Sequence, residues 1–351
     1  MHDRFKKRIL SLPASVRAKI AEIDTKKSAW NEGAQLDRQV LETLKRSVLI
    51  TSSGASTRIE GAQLSDEDVE KMMRGLSMQK FSDRDKQEVR GYYELLDNVF
   101  TAYPSIPFSE STIKFFHKEL LKYAEKDKLH RGEYKKKENK VEMVNAAGQS
   151  IGTLFDTTPA YLTPKEMQEL IEWTNTAFLE KEIHPLLVIG NFIVEFLNIH
   201  PFEDGNGRLS RVLTNLLLLQ HGYVYMPYIS HEKLVEDNKP EYYLALRQSQ
   251  KSFRTDYESI EPFIRFFLNV LLIQTKQAVD LLSTKQLEGL LSKQQTLVWQ
   301  YMQKVGEATP LEISEATGVP RPTVSQALTK LMRLKKVQRV GLGRGTRYHT
   351  T

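Results

Sequence analysis

The chain is predicted to be mainly α-helical, with one β-hairpin near its middle and a small separate unit towards its C-terminal end. Three observations predict this. Apolar residues recur at helical spacing through most of the first 280 positions, as in Leu36, Val40, Leu41, Leu44 and Val48. Strand-like patterning in that stretch is confined to 140–155, around the turn-forming Asn145-Ala146-Ala147-Gly148. From residue 293 onward ten Lys and Arg stand against three Glu, about +7, whereas the whole chain carries only +6.

At 351 residues the chain is long enough for two or three domains with real cores. The expected division is an N-terminal helical region over 1–105, a core over 106–280 and a C-terminal unit over 290–351. The absence of Cys excludes disulfides and thiolate chemistry, and fits a reducing compartment. There is no basic-then-apolar leader and no apolar run of membrane-spanning length, so the expected address is cytoplasmic, with no membrane partner.

The first hundred residues read as helices. One reaches Ile50, where Thr51-Ser52-Ser53-Gly54 is expected to break it before a short segment over 55–61. Ser65 with Asp68 forms a capping box for a helix over 66–75. Another is expected over 83–103, stopped by Pro104. Ser109 caps a helix carrying Phe115, Phe116, Leu120 and Leu121. A charged run leads into the hairpin, with strands expected over 140–143 and 150–155; composition alone makes it a surface hairpin with a solvated Lys/Glu face. Pro164 starts the next helix. The run 186–199 is apolar nearly all round, as in the buried centre of a bundle. Gly222 ends the helix after it, Glu241 opens another, and the last core helix spans 261–280. A linker over 282–293 leads to a helix over 294–305 and a short one opened by Thr309 and Pro310. The turn Gly318-Val319-Pro320, a third helix over 321–334 and two β-like runs, 337–340 and 346–349, complete the chain.

Chemistry concentrates in His200-Pro201-Phe202-Glu203-Asp204-Gly205-Asn206-Gly207-Arg208-Leu209-Ser210-Arg211, between two apolar runs. This is a helix, a tight polar loop and a second helix. Pro201 stops the first helix, and Gly205 and Gly207 let the backbone take positive φ and bring amides close to a ligand. The free N–H groups of the second helix make an anion site. His200 is a general base by its ordinary pKa. Asp204 is an oxygen ligand of the kind Mg²⁺ takes beside phosphate. Arg208 and Arg211, three apart on one helical face, are cations suited to phosphate. A base, a metal ligand and a phosphate cradle together point to attack on a nucleotide phosphate.

The loop also resembles the signature of the Fic family, His-Pro-Phe-x-(Asp/Glu)-Gly-Asn-Gly-Arg-x-x-Arg, with each fixed position present. The resemblance spans roughly 50–275 and implies a Fic-type helical bundle with a β-hairpin flap. It implies an enzyme that moves AMP from ATP to a hydroxyl of a target protein or of itself. Carried over by position, His200 deprotonates the hydroxyl and Asp204 holds Mg²⁺. Gly205, Asn206, Gly207 and Arg208 hold the α- and β-phosphates, and Arg211 the γ-phosphate. Tyr242 and Tyr243 match the helix that borders the base in that family, though core aromatics fit the same spacing. Taken alone, 55–61 is a short helix ended by Gly61; beside the signature it resembles the family's inhibitory motif, as Ser56, Glu60 and Gly61. Glu60 is then expected to pair with Arg211 and hold the enzyme down. In some relatives the same glutamate positions a water that removes AMP, so de-AMPylation is a further expectation. By position, Val141, Glu142 and Met143 correspond to the flap edge that registers the target by strand addition.

The C-terminal unit resembles a winged helix-turn-helix domain. Its third helix offers Arg321, Thr323, Ser325, Gln326, Thr329 and Lys330 to a DNA groove, with Arg344 and Arg347 in the wing. Such modules also dock proteins or form dimers, and a homodimer fits both the core and the tail. The alternative reading of the whole is a nucleotide-sensing, DNA-binding regulator with little transfer activity.

Overall fold

The computed structural model describes residues 2–33, 38–75, 83–144, 150–334, 336–340 and 346–350; for His2, Asp83, 140–144, 150–156 and 283–290 the backbone alone is described. Two compact units divide the chain, Met1–Val279 and Asp280–Thr351.

The first unit opens with helices α1 (His2–Leu10), α2 (Ala14–Gly33), α3 (Arg38–Ile59), α4 (Asp66–Met73) and α5 (Asp83–Ala102). The expected break at 51–54 does not occur: α3 runs on through Ser52, Ser53 and Gly54 to Ile59. Tertiary contact overrides weak helix propensity here. Residues 52 to 57 are all buried, Ser53 and Thr57 return their hydroxyls to the carbonyls of Leu49 and Ser53, and Ser52 meets Ser230 at 2.8 Å. Small side chains let α3 lie close against α5. The capping box of Ser65 and Asp68 opens α4 as the spacing implies.

Helix α6 (Glu110–Leu120), capped by Ser109, leads to strands β1 (Lys140–Val144) and β2 (Ser150–Asp156). They pair antiparallel, with Val141 opposite Phe155, Glu142 opposite Thr153 and Met143 opposite Gly152. The expected turn at 145–148 lies outside the described residues. Helices α7 (Thr163–Glu180), α8 (Pro185–Ile199) and α9 (Asn206–Gln220) follow. Every residue of α8 from Leu186 to Ile199 is buried, as its all-round apolarity implies. At about 1.5–3 kcal/mol for each fully buried Leu, Ile or Phe, α8 is the element on which the others assemble. Helix α7 packs on one side of it and α9 on another.

A seven-residue helix, α10 (His231–Asp237), was not foreseen; Ser230 caps it, and its charged residues hide any apolar period. Then come α11 (Lys239–Lys251) and α12 (Glu261–Leu290). The expected linker from 282 is helical as far as Leu290, so α12 crosses from the first unit into the second.

The second unit contains α13 (Lys293–Val305), β3 (Glu307–Ala308), α14 (Pro310–Thr317), α15 (Arg321–Arg333), β4 (Val337–Val340) and β5 (Arg347–Thr350). Capping boxes at Ser292/Gln295 and Thr309/Glu312 start two of its helices. Its core is built from Val298, Met302, Ile313, Val324, Leu328 and Leu331. Strand β5 lies between β3 and β4 in an antiparallel sheet. The two-residue β3 is too short to leave a period in the sequence.

Candidate active site

The loop between α8 and α9 is fixed by its own side chains. His200 ends α8 in the left-handed region, φ 51° and ψ 61°, a conformation uncommon for any residue but glycine. The Asn206 carboxamide closes the loop, accepting from the Phe202 N–H at 3.0 Å and donating to the Phe202 carbonyl at 2.8 Å. Phe202 is buried and stacks on His117 of α6 at 3.8 Å. The Gly132 N–H donates to His117 Nδ1 at 2.9 Å, which places the ring proton on Nε2 for donation to the Asp204 carbonyl at 3.0 Å. Gly205 then takes φ 78° and α9 begins.

Charges are set in pairs. Burial works against ionisation of Asp204, but Arg208, the Gly205 amide and Arg84 outweigh it and hold the carboxyl below its usual range. Arg208 reaches both oxygens of Asp204 at 3.0 Å, and its other amino group lies 2.9 Å from Glu88 of α5. Arg84 approaches Asp204 at 3.3 Å. Burial, aided by the Lys135 ammonium, lowers the His200 imidazole to about 4. Its Nδ1 faces the Leu197 carbonyl at 3.4 Å, an acceptor that keeps the proton there and leaves Nε2 as the basic nitrogen.

The expected meeting of Glu60 and Arg211 is present. The Arg211 side chain is buried and donates to the Ser56 hydroxyl, the Ser56 carbonyl and Glu60 Oε1, each at 2.8 Å. Burial disfavours the guanidinium's charge, yet Glu60 and its other neighbours hold it above its ordinary pKa. The Glu60 carboxylate also lies over Gly207, where any Cβ would collide with Oε1. It therefore sits beside the N-terminus of α9, the end of a helix that favours an anion. Gly61, at φ 104°, turns the chain away immediately afterwards. Tyr243 donates to the Ile59 carbonyl at 3.2 Å and Lys239 to that of Arg58 at 3.3 Å, so α11 caps the turn that carries Glu60.

Tyr242 is buried against Phe266, with ring centroids 5.5 Å apart, and burial, opposed by Arg211, pushes its phenol up to about 12. Tyr243 is 38% exposed. Val141, Glu142 and Met143 lie on β1, described by backbone only. In the second unit, Arg321, Ser325, Gln326 and Thr329 are exposed and Thr323 and Lys330 partly so, while Arg344 lies outside the described residues.

A model of the Fic/DOC family matches residues 107–218, the stretch from the approach to α6 to near the end of α9. Curated proteins similar to this chain include a probable protein adenylyltransferase of Aquifex aeolicus, 24% identical over 193 residues, covering 54% of this chain and 56% of that one. The protein adenylyltransferase Fic of Drosophila willistoni is 31% identical over 117 residues, 33% of this chain and 20% of that protein. The chain thus spans about half the length of the first and a fifth of the second. Among solved structures, a Fic family protein from Desulfovibrio desulfuricans G20 aligns over 97% of both chains with a TM-score of 0.63 at 23% identity. Fic-1 of C. elegans aligns over 78% of this chain and 75% of its own with a TM-score of 0.61 at 20% identity. At such identities the structural likeness speaks to the fold: a mainly helical Fic fold carries the site. No helix among the described residues is long and apolar enough to cross a membrane.

Sequence reasoning missed the residues that hold the Fic loop from outside it: His117, Lys135, Asn139, Arg84 and Glu88. They come from α5, α6 and the segment before β1, and nothing in their local sequence separates them from other polar residues. One consequence is measurable. Burial lowers His117 to about 4, so below pH 6.5 the unfolded chain takes up a proton that the folded ring refuses, and stability falls with pH until about 4. A His117→Phe variant lacks this contribution. The stability advantage of wild type over the variant is expected to shrink by about 2 kcal/mol between pH 7 and pH 5. Urea unfolding at the two pH values measures it.

Proposed function

We propose that this protein is a protein adenylyltransferase, transferring AMP from ATP to a hydroxyl side chain, and that Glu60 restrains it. The observation that carries the reading is the complete loop with a carboxylate bonded to its last arginine and seated over Gly207. His200 Nε2 takes the proton of the acceptor hydroxyl, whose oxygen attacks the α-phosphorus. The bond to the α,β-bridging oxygen breaks and pyrophosphate leaves. The α9 amides and Arg208 hold the α- and β-phosphates, and Arg211 the γ-phosphate. With Glu60 in place that last position is taken, so ATP binds without the reactive orientation of its α-phosphate.

Asp204 fits a Mg²⁺ role by its donor chemistry. It is held ionised, and a carboxylate oxygen is the donor Mg²⁺ takes beside phosphate and water. The ion would supply charge neutralisation to the phosphates. Tyr243, half-exposed beside Glu60, suits the adenine face better than buried Tyr242, whose surroundings are those of a core aromatic. The β1 edge receives the target as an added strand through Val141, Glu142 and Met143. Removal of AMP assisted by Glu60 is the reverse activity consistent with its place. Transfer of label from α-labelled ATP with Mg²⁺, comparing wild type, Glu60→Gly and Glu60→Gly/His200→Ala, tests the reading. No label in any of the three, with cell extract as target, overturns it in favour of the nucleotide-sensing regulator.

The second unit is read as a winged helix-turn-helix that binds DNA through α15. Ser325, Gln326, Thr329, Lys330 and Arg333 line one shallow surface depression, and the helix brings Arg321 at its start. Duplex DNA is expected to bind in a salt-sensitive manner. Arg321→Ala is expected to lower the slope of log affinity against log salt by about 1, as for one lost phosphate contact. Mobility shifts across a salt series measure this. No binding at low salt leaves a protein-docking or homodimer role for the unit.

A further inference from the structure

The run Lys135-Lys136-Lys137 reads in sequence as a solvated charge cluster, yet Lys135 is only 3% exposed while its two neighbours face solvent. An ammonium has three protons, and each of these has an acceptor: Asn139 Oδ1 at 2.7 Å, Thr157 Oγ1 at 2.8 Å and the Ile199 carbonyl at 3.0 Å. These acceptors come from three places. Asn139 immediately precedes β1, Thr157 immediately follows β2, and Ile199 ends α8 next to His200.

The knot is tightened by its other bonds. Thr157 donates to Asn139, whose side-chain amide reaches the Phe202 carbonyl at 2.9 Å and the His200 carbonyl at 3.4 Å. The Lys135 backbone N–H donates to the Pro201 carbonyl at 2.8 Å. The Lys135 side chain thus ties both feet of the hairpin to the Ile199 carbonyl before His200, while its backbone holds the Pro201 carbonyl after it. The partners described are all uncharged, so burial of this cation is poorly compensated as a source of stability. Its geometric result is specific: the feet of the hairpin and the backbone beside His200 are joined through one residue.

We propose that Lys135 is a positioning residue that sets the hairpin edge, and with it the acceptor hydroxyl of the target, against His200. The proposal rests on the transfer reading above. Proximity catalysis gives it weight, because displacement of a bound hydroxyl by about 1 Å is enough to cost about 100-fold in rate.

The test uses the full chain in a Glu60→Gly background with Lys135→Met, which keeps length and loses the donors, and Lys135→Arg, which keeps the cation. Three quantities are read: amide exchange of the hairpin and of 198–202 without nucleotide, ATP affinity by calorimetry, and kcat and KM for transfer. Lys135→Met is expected to speed exchange in both segments by about tenfold. It should leave ATP affinity within about twofold and lower kcat by at least about tenfold, with Lys135→Arg regaining part of the loss. Thr157→Val, which removes one acceptor, should move exchange and kcat in the same direction by less, and decides the matter if Lys135→Met fails to fold. Unchanged exchange, or a rate loss matched by loss of ATP binding, overturns the proposal. If Glu60→Gly alone transfers nothing, the transfer reading fails, while exchange still reports whether Lys135 joins the two segments.

Discussion

Glu60→Gly is expected to raise AMP transfer by about 10- to 100-fold, the range of a coupling free energy of 1–3 kcal/mol between two competing ligands of one site. On the proposed reading the two ligands are the Glu60 carboxylate and the γ-phosphate, and the site is Arg211 with the first amides of α9. Arg211 does not depend on Glu60 for its place, because Ser56 holds the guanidinium from two other directions. Removing the carboxylate leaves a pre-formed cation beside an empty anion site. The variant leaves the buried Arg211 guanidinium without its carboxylate, so it is also expected to be less stable than wild type in the absence of nucleotide. It should gain more from ATP than wild type does, because a ligand that binds the folded state stabilises by its affinity. Glu60→Gln separates shape from charge: it keeps the bulk over Gly207 without the ion pair and should fall between the two. Initial rates with α-labelled ATP and thermal melts with and without nucleotide give both results. Equal transfer by wild type and Glu60→Gly removes the inhibitory role.

His200→Ala in the Glu60→Gly background is expected to lower transfer by about 10²- to 10⁴-fold, the usual contribution of a positioned general base. Its backbone complicates the choice of substitution. At φ 51° an alanine is strained, whereas asparagine visits the left-handed region readily. His200→Asn therefore keeps the loop in its conformation and removes the base. Loss of transfer in both variants with ATP binding retained assigns the base to the imidazole. Recovery in His200→Asn would assign the loss to the loop backbone. The low imidazole pKa of about 4 also sets the expected pH dependence: the ring is already neutral at pH 6, so its limb of the rate profile is flat from pH 6 to 8.

The helical class, the buried α8 and the Fic loop were legible in the sequence because each has a local signal. Leu186 to Ile199 have no polar stripe, Pro201 and two glycines interrupt the pattern, and a second apolar run, Val212 to Leu219, follows. The pairing of Glu60 with Arg211, 151 positions apart, was legible only through resemblance, since no local pattern joins residues so distant. The course of α3 was misread because Thr51-Ser52-Ser53-Gly54 has the composition of a break; what makes it helical is burial against neighbours the local sequence does not contain. Lys135 shows the same limit from the other side. Its neighbours are two exposed lysines, and only the folded chain brings Thr157 and Ile199 to its ammonium.

The continuity of α3 has a further consequence. Residues 48 to 50 and 52 to 57 of that helix are buried in the first unit, and the turn bearing Glu60 is simply where the helix ends. A brake carried on a detachable arm can be discarded by a protease or by a deletion that leaves the enzyme whole. Here the same cut would take away the wall on which Arg211 rests, together with the surface that meets α5. On the proposed reading, permanent activation is therefore open to point substitution but closed to truncation.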